Sequence, residues 1–325
     1  MSARILVTGA TGFVGPRLLQ ALRQGAFSAA ELLVWDYQPD QPSSLTNVNL
    51  CVSAEVVASV AAFKPTHVIH LAAQSHVPTS FAKPELTWNV NVMGSLHLFE
   101  ALKQHCPSAL TVFVSSSEVY GRSFASGVPA DERTVLQPMN PYAASKAAAD
   151  MMAGQYAELG MKILRLRPFN HIGPGQREEF VASAFAAQIA RIEAGLQRPV
   201  IRVWNRDSRR DFLDVADVVQ GYVAALEHGT TLAPGEVINL CRGETWQIST
   251  LLRQLLDLSC VAIAIEQDPK RMRPSDIPIA QGSAAKARQL LGWTPAIALE
   301  QTLKNVLDDW RDKVRSDAKD VTPCR

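Results

Sequence analysis

The first half of the chain alternates short apolar runs with segments whose apolar residues recur at the roughly 3.6-residue spacing of a helix. The apolar runs are RILVTG, ELLVWD, VNLCV, THVIHLAA, LTVFVSS and MKILRLRPF. Because these runs are apolar on both faces, they are typical of parallel strands that helices cover on both sides. Six such units predict an α/β fold of the Rossmann type, with a doubly wound parallel sheet.

The pattern changes after about Phe169. Pro and Gly cluster in RPFNHIGPGQ, and short strands predicted in VIRVW, GEVINL and VAIAIE alternate with loops. We therefore predict a sheet domain at residues 1–169, to which later segments return. A smaller, interleaved C-terminal lobe is predicted mainly at 170–315, and a polar tail at 316–325.

Composition narrows the classes of function. The 325 residues include 32 Lys and Arg against 31 Asp and Glu, a formal charge of +1. Without a global positive field, neither nucleic acid nor an anionic membrane is an expected partner. The five cysteines are scattered without a CxxC pair, which predicts no metal site and a reducing compartment. No apolar run approaches the roughly 20 residues of a membrane span. The N-terminus lacks the pattern of a signal peptide, so we expect a soluble cytoplasmic protein.

A glycine-rich loop follows the first predicted strand. Gly9, Gly12 and Gly15 stand in GATGFVG, directly after RILVT and at the start of a predicted helix. Glycines let the backbone turn sharply and approach a pyrophosphate, and the helix N-terminus offers free N–H groups to the anion. The strand before the loop, the helix after it and Asp36 at the end of the second strand favour a dinucleotide site over a plain Gly-rich turn.

Asp36 indicates which dinucleotide is expected. An acid at the end of the second strand can accept hydrogen bonds from the adenosine ribose hydroxyls. A 2′-phosphate would meet like charge there, and no Arg or Lys stands nearby in the sequence. We therefore expect NAD(H), with NADP(H) as the less favoured alternative. The other interpretation of Asp36 is a loop acid that caps the next turn.

Two later segments indicate proton transfer. Tyr142 and Lys146, in PYAASK at the start of a predicted helix, are four residues apart and therefore share one helix face. We expect the adjacent ammonium to shift the pKa of Tyr142 towards the phenolate. Ser116, in SSSEVYG at the end of an apolar strand, can hydrogen-bond the substrate oxygen that Tyr142 protonates. The same stretch places a carboxylate, Glu118, two residues further on.

Several ordered motifs together resemble the extended short-chain dehydrogenase/reductase family of nucleotide-sugar enzymes. They are the glycine loop, HLAAQ, SSSEVYG, PYAASK, RPFNHIGPGQ, RRDFLDVADV, KRMRPSD and LGWTP, and they span the chain from Arg4 to about Trp310. Three strings, RPFNHIGPGQ, SRRDFLDV and DPKRMR, resemble the family's reductases of GDP-linked 4-keto-6-deoxy sugars. The resemblance implies NAD(P)H-dependent reduction of GDP-4-keto-6-deoxy-D-mannose to GDP-D-rhamnose. It also implies that residues 1–169 bind NAD(P) and that residues 170–315 bind the nucleotide sugar.

The resemblance leaves other functions open. GDP-mannose 4,6-dehydratases and nucleotide-sugar 4-epimerases use the same catalytic triad with tightly held NAD. Glu118 matches the acid that removes the C5 proton in the dehydratases. Otherwise it is a ligand for a sugar hydroxyl or an acid satisfied by backbone N–H groups. A non-catalytic NAD-binding regulator is the remaining alternative, although such a protein has no need of an intact triad.

The family pattern assigns candidate residues to the site. The candidate catalytic residues are Ser116, Tyr142, Lys146 and Glu118. The candidate cofactor-binding residues are Gly9, Thr11, Gly12, Phe13, Val14, Gly15, Asp36, Leu71, Ala72, Ala73, Tyr142 and Lys146. The candidate substrate-binding residues are Ser116, Asn170, Arg210, Arg271 and Arg273, with Arg206 and Arg209 as helpers. Arginine suits a diphosphate because its guanidinium binds phosphate oxygens bidentately.

Three further expectations complete the interpretation. Family members commonly form homodimers through the helices that match residues 85–105 and 142–158. Asn49 stands where the family often has an Asp that binds adenine, so this adenine contact is a point of departure. The histidines His70, His76 and His171 match no metal site and are interpreted as satisfied core or loop residues.

Overall fold

The computed structural model of the protein describes residues 2–41, 44, 46–203, 207–267 and 277–320. Its strands are β1 (Arg4–Thr8), β2 (Glu31–Trp35), β3 (His67–His70), β4 (Leu110–Val114), β5 (Ile163–Pro168), β6 (Asn170–Ile172), β7 (Val200–Val203), β8 (Arg209–Arg210), β9 (Phe212–Asp214), β10 (Val237–Leu240), β11 (Trp246–Gln247), β12 (Ala264–Gln267) and β13 (Ile279–Ala280). Its helices are α1 (Gly15–Gln24), α2 (Ser53–Phe63), α3 (Val77–Ala82), α4 (Pro84–Trp88), α5 (Gly94–His105), α6 (Pro141–Glu158), α7 (Val181–Glu193), α8 (Val215–His228), α9 (Ile248–Asp257), α10 (Ala285–Leu291) and α11 (Leu299–Asp320). A π-helical segment (Asn89–Met93) joins α4 to α5, and a 3₁₀ segment (Ser117–Ser126) follows β4.

A parallel sheet of six strands forms the centre, in the order β10-β5-β4-β3-β1-β2. The chain moves from β1 to β2 on one side and then returns to place β3 on the other side of β1. In sheets of this kind, ligands bind outside the carboxyl ends of the strands where the direction of winding reverses. The predicted fold class is confirmed, and the expected site lies at the carboxyl ends of β1 and β3.

One predicted strand is wrong, and another lies in a different sheet. The run VNLCV at residues 48–52 forms a turn, in which the Asn49 carbonyl accepts from the Val52 N–H and Asn49 Oδ1 accepts from the Cys51 N–H, both at 2.9 Å. An Asn side chain that binds nearby backbone competes with strand pairing. The VINL run that was predicted within the smaller lobe is β10, which pairs with β5 at the edge of the central sheet.

Apolar layers hold helices against both faces of the sheet. On one face, Leu18 of α1 and Val218 of α8 are fully buried against the strands. On the other face, Leu98 of α5 and Ala153 of α6 are fully buried in a second layer with α2. Complete burial of a leucine side chain stabilises the fold by about 1.5–3 kcal/mol relative to exposure. These layers hold the first turns of α1 and α6 at the carboxyl ends of the strands, where the site is expected.

The smaller lobe has a core of its own. Phe185 of α7, Leu251 of α9 and Leu303 of α11 are fully buried there together. Helix α11 extends to Asp320, into the segment predicted as a polar tail. The predicted boundaries at residues 169 and 315 stay predictions. Nowhere in the described part of the chain is a helix both long and apolar enough to cross a membrane.

Candidate active site

A cavity of about 1130 Å³ opens at the carboxyl ends of β1, β3 and β4. Its wall includes the glycine loop and Asp36 of the sheet domain as well as Arg210 and Ile277. A typical small-molecule pocket has a volume of roughly 300–1,000 Å³. The cavity therefore has room for two ligands side by side. Its walls come from both the central sheet and the smaller lobe.

The glycine loop fits a pyrophosphate because side chains would not fit there. Gly9 has a φ of +69°, and a Cβ on it would lie 2.6 Å from the backbone N of Ala72. A Cβ on Gly15 would lie 1.9 Å from the carbonyl oxygen of Ala10, so this glycine lets the first turn of α1 pack closely on the loop that follows β1. Gly12 turns the loop through an N–H bond of 3.2 Å to the Gly9 carbonyl.

The structure brings most of the predicted cofactor-binding residues to the cavity wall. These are Gly9, Thr11, Gly12, Phe13, Val14, Asp36, Leu71, Ala72, Ala73, Tyr142 and Lys146. Gly15 lies behind the loop, where it supports the loop through packing. The cradle and the open N-terminus of α1 suit an anionic dinucleotide.

Asp36 is the first residue after β2 and lines the cavity. Its carboxylate accepts from Thr11 Oγ1 at 3.1 Å and from Gln38 Nε2 at 3.2 Å. Both donors are neutral, so the carboxylate keeps its negative charge uncompensated by them. Asn49 lies on the same side of the cavity, where its Oδ1 already accepts from the Cys51 N–H at 2.9 Å.

The start of α6 positions Tyr142. Asn140 caps the helix, because its Oδ1 accepts from the Ala143 N–H at 2.8 Å, and Pro141 occupies the first turn. Tyr142 therefore faces the end of β4, and its side chain lines the cavity together with that of Ser116. Ser116 Oγ in turn accepts from the Glu118 N–H at 3.2 Å.

Lys146 lies one turn after Tyr142 and is 4% exposed. Its Nζ donates to the Val114 carbonyl at 2.5 Å and stands 4.7 Å from the centroid of the Phe113 ring. Burial lowers the pKa of Lys146 to about 8, against the opposing charge of Asp150. At neutral pH the side chain therefore still carries its proton.

The expected shift of Tyr142 towards the phenolate is wrong for this structure. Burial raises the pKa of Tyr142 to about 12, the hydrogen bond from Ser116 opposes this, and the charge of Glu118 adds to it. Burial disfavours the anionic form of the phenol because that form loses its hydration. Tyr142 is consequently a protonated phenol at neutral pH, which is the form that can donate a proton.

Glu118, in the 3₁₀ segment after β4, is held in place by the residue that caps α6. Its Oε2 accepts from Asn140 Nδ2 at 3.1 Å, and its side chain lines the cavity next to Ser116. Asn140 thus uses its oxygen to cap the helix and its amide to hold the acid. The four candidate catalytic residues therefore lie at one place in the cavity, and their catalytic roles stay predictions.

The candidate substrate residues are described only in part. Asn170, the first residue of β6, and Arg210 of β8 both line the cavity. Arg210 Nη1 donates to the Ile277 carbonyl at 2.6 Å, and this bond holds the guanidinium in place. Arg209 instead bonds Thr245 and is not among the described residues that line the cavity, and its role as a helper stays a prediction. Arg206, Arg271 and Arg273 lie outside the described residues.

Two residues that support the substrate side were missed from the sequence. Arg17 of α1 donates through Nη2 to the Pro174 carbonyl at 2.6 Å. Asp309 of α11 accepts from the Gly175 N–H at 2.8 Å. Both hold the segment that leads to Gln176, which lines the cavity. No local motif could reveal these contacts, because the partners are more than a hundred residues apart in the chain.

The histidines have structural partners. His70 is buried, and its ring nitrogens bond Thr8 Oγ1 at 2.7 Å and Ser95 Oγ at 3.0 Å. His171 stacks on Phe13 with ring centroids 6.0 Å apart. Within the described ranges, no three His, Cys, Asp or Glu side chains come together as metal ligands would.

Comparison with known proteins assigns the chain to a family. The family model for GDP-mannose 4,6 dehydratase matches residues 6–306. GDP-6-deoxy-D-mannose reductase from Pseudomonas aeruginosa is 39% identical over 320 residues, which cover 98% of this chain and 100% of the relative. The structure of RMD from Pseudomonas aeruginosa complexed with NADPH matches with a TM-score of 0.84 at 37% identity, over 96% of this chain and 99% of that chain. UDP-glucose 4-epimerase from Thermus thermophilus, complexed with NAD, matches with a TM-score of 0.81 at 28% identity, over 95% and 99% of the two chains. The chain therefore belongs to the GDP-mannose 4,6 dehydratase family of the extended short-chain dehydrogenase/reductases.

Proposed function

We propose that this protein reduces the 4-keto group of GDP-4-keto-6-deoxy-D-mannose to give GDP-D-rhamnose. The observation that carries the proposal is the match to GDP-6-deoxy-D-mannose reductase, which spans 98% of this chain and 100% of the relative at 39% identity. The match includes both the residues around Tyr142 and the smaller lobe, so it covers the chemistry and the substrate side together.

Three side chains of the site have defined tasks in this reaction. A bound nicotinamide cofactor supplies the hydride for C4. Tyr142, which is protonated at neutral pH, donates its phenolic proton to the carbonyl oxygen. The Ser116 hydroxyl donates a hydrogen bond to the same oxygen and orients it. The Lys146 ammonium holds the nicotinamide ribose and stabilises the phenolate that Tyr142 becomes.

We infer that NAD(H) is the favoured cofactor and NADP(H) the alternative. The Asp36 carboxylate lines the cavity, and its hydrogen bonds come from the neutral groups of Thr11 and Gln38. A ribose with two hydroxyls suits this acid, whereas a 2′-phosphate would be repelled. The relative complexed with NADPH is the reason to test both. The ratio of kcat/KM for NADH and NADPH should exceed one, and Asp36→Ser should lower it.

The diphosphate of the sugar nucleotide is assigned to Arg210 and Asn170, which both line the cavity. A protein with a formal charge of +1 must concentrate positive charge locally to bind a diphosphate. Arg271 and Arg273 complete the proposed set on the strength of the family pattern alone.

One observation favours a second candidate, a GDP-mannose 4,6-dehydratase. Glu118 lines the cavity beside Ser116 and is held by Asn140, which is where an acid that removes a C5 proton would stand. A reductase needs only hydride and one proton, so it uses Glu118 as a ligand for a sugar hydroxyl. Cofactor that stays bound through purification would favour the dehydratase or a 4-epimerase. Freely exchanging cofactor would favour the reductase.

The test is NADH oxidation with GDP-4-keto-6-deoxy-D-mannose that a separate dehydratase generates in place. We expect rapid oxidation and GDP-rhamnose as the product. We also expect Glu118→Gln to keep most of kcat and to raise KM. Conversion of GDP-mannose to the keto sugar by this protein alone, abolished by Glu118→Gln, would instead establish the dehydratase. Binding of NADH without turnover of any GDP-sugar would instead favour the remaining alternative, a non-catalytic NAD-binding regulator.

We also propose a cytoplasmic homodimer. The helices that the family pattern assigns to the dimer, α4 to α5 and α6, expose large apolar side chains. These are Leu86, Trp88, Met93 and Met151, with Phe81 and Leu159 beside them. Phe81 and Leu86 also line the cavity, so Trp88, Met93 and Met151 carry the proposal, because exposed apolar side chains of this kind are typical of a protein interface.

A further inference from the structure

Asn49 lines the cavity, and the proposed function gives it no task. The segment that carries it runs beside the end of β2. The Asp36 N–H donates to the Thr46 carbonyl at 2.9 Å, and the Gln38 N–H donates to Asn47 Oδ1 at 2.7 Å. In a nicotinamide dinucleotide, the adenine is bonded to the ribose that Asp36 is expected to hold. Asn49 therefore lies in the part of the wall where the base is expected.

The backbone around Asn49 is held by two helices. The Asn49 N–H donates to Glu55 Oε2 of α2 at 2.8 Å, and the Asn49 carbonyl accepts from the Val52 N–H at 2.9 Å. The Leu50 carbonyl accepts from His97 Nδ1 of α5 at 2.8 Å. The side chain of Asn49 therefore projects from a braced turn.

The amide of Asn49 has one committed atom and one available atom. Its Oδ1 accepts from the Cys51 N–H at 2.9 Å. A backbone N–H can pair only with the oxygen of a side-chain amide, so this bond determines which way the amide is turned. Among the described residues, Nδ2 has no hydrogen-bond partner. The nitrogen, which is a donor only, is consequently the atom that Asn49 offers to a ligand.

The neighbouring side chains of the wall offer few polar contacts to a base. Val48 and Leu50 are apolar, and Trp35 Nε1 already donates to Ser59 Oγ at 2.9 Å. Tyr37 also lines the cavity and is 49% exposed. Its hydroxyl is therefore the alternative contact that a control must exclude.

The edge of the purine decides what a donor at this position can bind. Adenine presents its 6-amino group, a donor, beside the acceptor N7. A carboxylate could accept from the amino group, whereas the amide nitrogen of Asn49 cannot. A 6-oxopurine has an oxygen in place of the amino group, so O6 and N7 are adjacent acceptors. The free N–H groups of Asn49 suit the 6-oxopurine edge at least as well as the adenine edge.

We propose that Asn49 determines the base specificity of the cofactor site. Its amide nitrogen donates to the edge of the purine that carries the 6-substituent, so the site does not select for the 6-amino group. The protein should accept the hypoxanthine dinucleotide, deamino-NADH, as well as NADH. The inference rests on the proposed function in one respect, the binding of a nicotinamide dinucleotide beside Asp36. It does not depend on which sugar is reduced.

The test compares the dissociation constants of NADH and deamino-NADH, each measured by energy transfer from protein tryptophan to the bound dihydronicotinamide. The two ligands differ only in the base, so the ratio of their constants reports the base contact. The unchanged protein should bind deamino-NADH at least as tightly as NADH. Tighter binding of NADH by the unchanged protein would overturn the proposal.

The matched variant is Asn49→Asp. It keeps the size of the side chain and an acceptor for the Cys51 N–H, and it replaces the donor by a second acceptor. The carboxylate can accept from the 6-amino group and is repelled by O6. NADH should therefore bind at least about fivefold more tightly than deamino-NADH, because the 6-oxopurine leaves acceptors unpaired. A ratio that stays as in the unchanged protein would contradict the role of Asn49.

Two control variants separate the base contact from its neighbours. Tyr37→Phe removes the other hydroxyl and should leave the ratio as it is. Asp36→Ser weakens the contact to a ribose that both ligands share, so both dissociation constants should rise by the same factor. A ratio that changes in Tyr37→Phe or in Asp36→Ser as much as in Asn49→Asp would overturn the proposal.

A further variant covers a failure of folding. The carboxylate of Asn49→Asp comes close to Glu55, which accepts from the backbone N–H of the same residue. Asn49→Ser adds no charge, and its hydroxyl can still accept from the Cys51 N–H. The serine lacks the amide donor, so deamino-NADH should lose affinity relative to NADH. An unchanged ratio in Asn49→Ser would also count against the proposal.

Turnover distinguishes this proposal from the proposed function. The expected affinities without turnover of any GDP-sugar would keep the role of Asn49 and overturn the reductase. Reduction of the keto sugar with NADH, together with weaker binding of deamino-NADH by the unchanged protein, would keep the reductase and overturn the role of Asn49. Failure to bind either dinucleotide would overturn both.

Discussion

Tyr142 is the residue on which the proposed chemistry depends most directly. Because burial raises its pKa to about 12, it enters the reaction as an acid. Tyr142→Phe removes only the hydroxyl, so turnover should fall by about 10²–10⁴-fold, the usual contribution of a positioned acid. NADH affinity should change little, since Lys146 and the glycine loop remain. Steady-state kinetics and an NADH titration test this, and unchanged turnover would contradict the proton-donor role.

At the residue scale, local motifs predicted the candidate catalytic residues, but they did not predict the burial of these residues or the contacts that surround them. Ser116, Tyr142 and Lys146 follow a strand end or share one helix turn, so short-range spacing already places them together. The sequence could not indicate that Tyr142 has a raised pKa, because burial depends on the whole cavity. It also could not reveal that Asp150 receives two bonds from Arg167, since that pairing depends on how α6 packs on β5.

At the element scale, two glycines of the loop have different roles: Gly15 allows close packing, and Gly12 lies where the cofactor is expected to bind. A Cβ on Gly15 would meet the Ala10 carbonyl at 1.9 Å, so Gly15→Ala must push the start of α1 away from the loop that follows β1. We expect a loss of about 1–3 kcal/mol or more in the free energy of unfolding. A Cβ on Gly12 would approach only the Gly9 carbonyl, at 3.2 Å, and lies beside the cavity.

Gly12→Ala is therefore the matched control for Gly15→Ala. It should keep most of the stability and lower NADH affinity by about tenfold, which corresponds to roughly 1.4 kcal/mol. Urea denaturation measures the first effect and NADH titration the second. Equal losses of stability in the two variants would contradict the division of roles between these glycines.

Helix α11 supports the substrate side of the cavity from outside. Asp309 Oδ2 accepts from the Gly175 N–H at 2.8 Å and also from Lys313 Nζ at 2.6 Å. Asp309→Ala removes the bond to the segment before Gln176, so KM for the keto sugar should rise by roughly fivefold, or about 1 kcal/mol. NADH affinity should be unchanged. Lys313→Ala leaves the Gly175 bond intact and should have no effect on KM in the same kinetic assay.

The two departures from the predicted strands have different causes, one local and one long-range. VNLCV has the apolar composition of a strand, yet the side chain of Asn49 binds the backbone of Cys51 and forms a turn. VINL was correctly predicted as a strand, but its pairing with β5 joins segments about 70 residues apart. Hydrophobic spacing predicts that a strand exists, and it does not specify the partner of that strand.

For the whole molecule, the exposed apolar surface on α4 and α6 predicts a dimer of the 35.4-kDa chain. Met151 of α6 is 61% exposed there. Met151→Glu places a charge in the proposed interface and should shift the protein to monomer in analytical ultracentrifugation. Leu196, equally exposed at 64% but in the smaller lobe, is the control, and Leu196→Glu should leave the mass unchanged. A monomeric unchanged protein would contradict the proposed dimer.

The position of β10 has a consequence for biosynthesis. The outer edge of β5 is covered only by β10, which the ribosome synthesises about 70 residues later. Arg165 Nη2 donates to the Gly235 carbonyl at 2.6 Å, so this acceptor is also missing until residue 235 has been synthesised. A nascent chain that stops after residue 169 therefore has an open strand edge that other chains can pair with. We therefore expect the two predicted parts of the chain to fold together, and we expect a cut after residue 169 to leave an N-terminal part that aggregates.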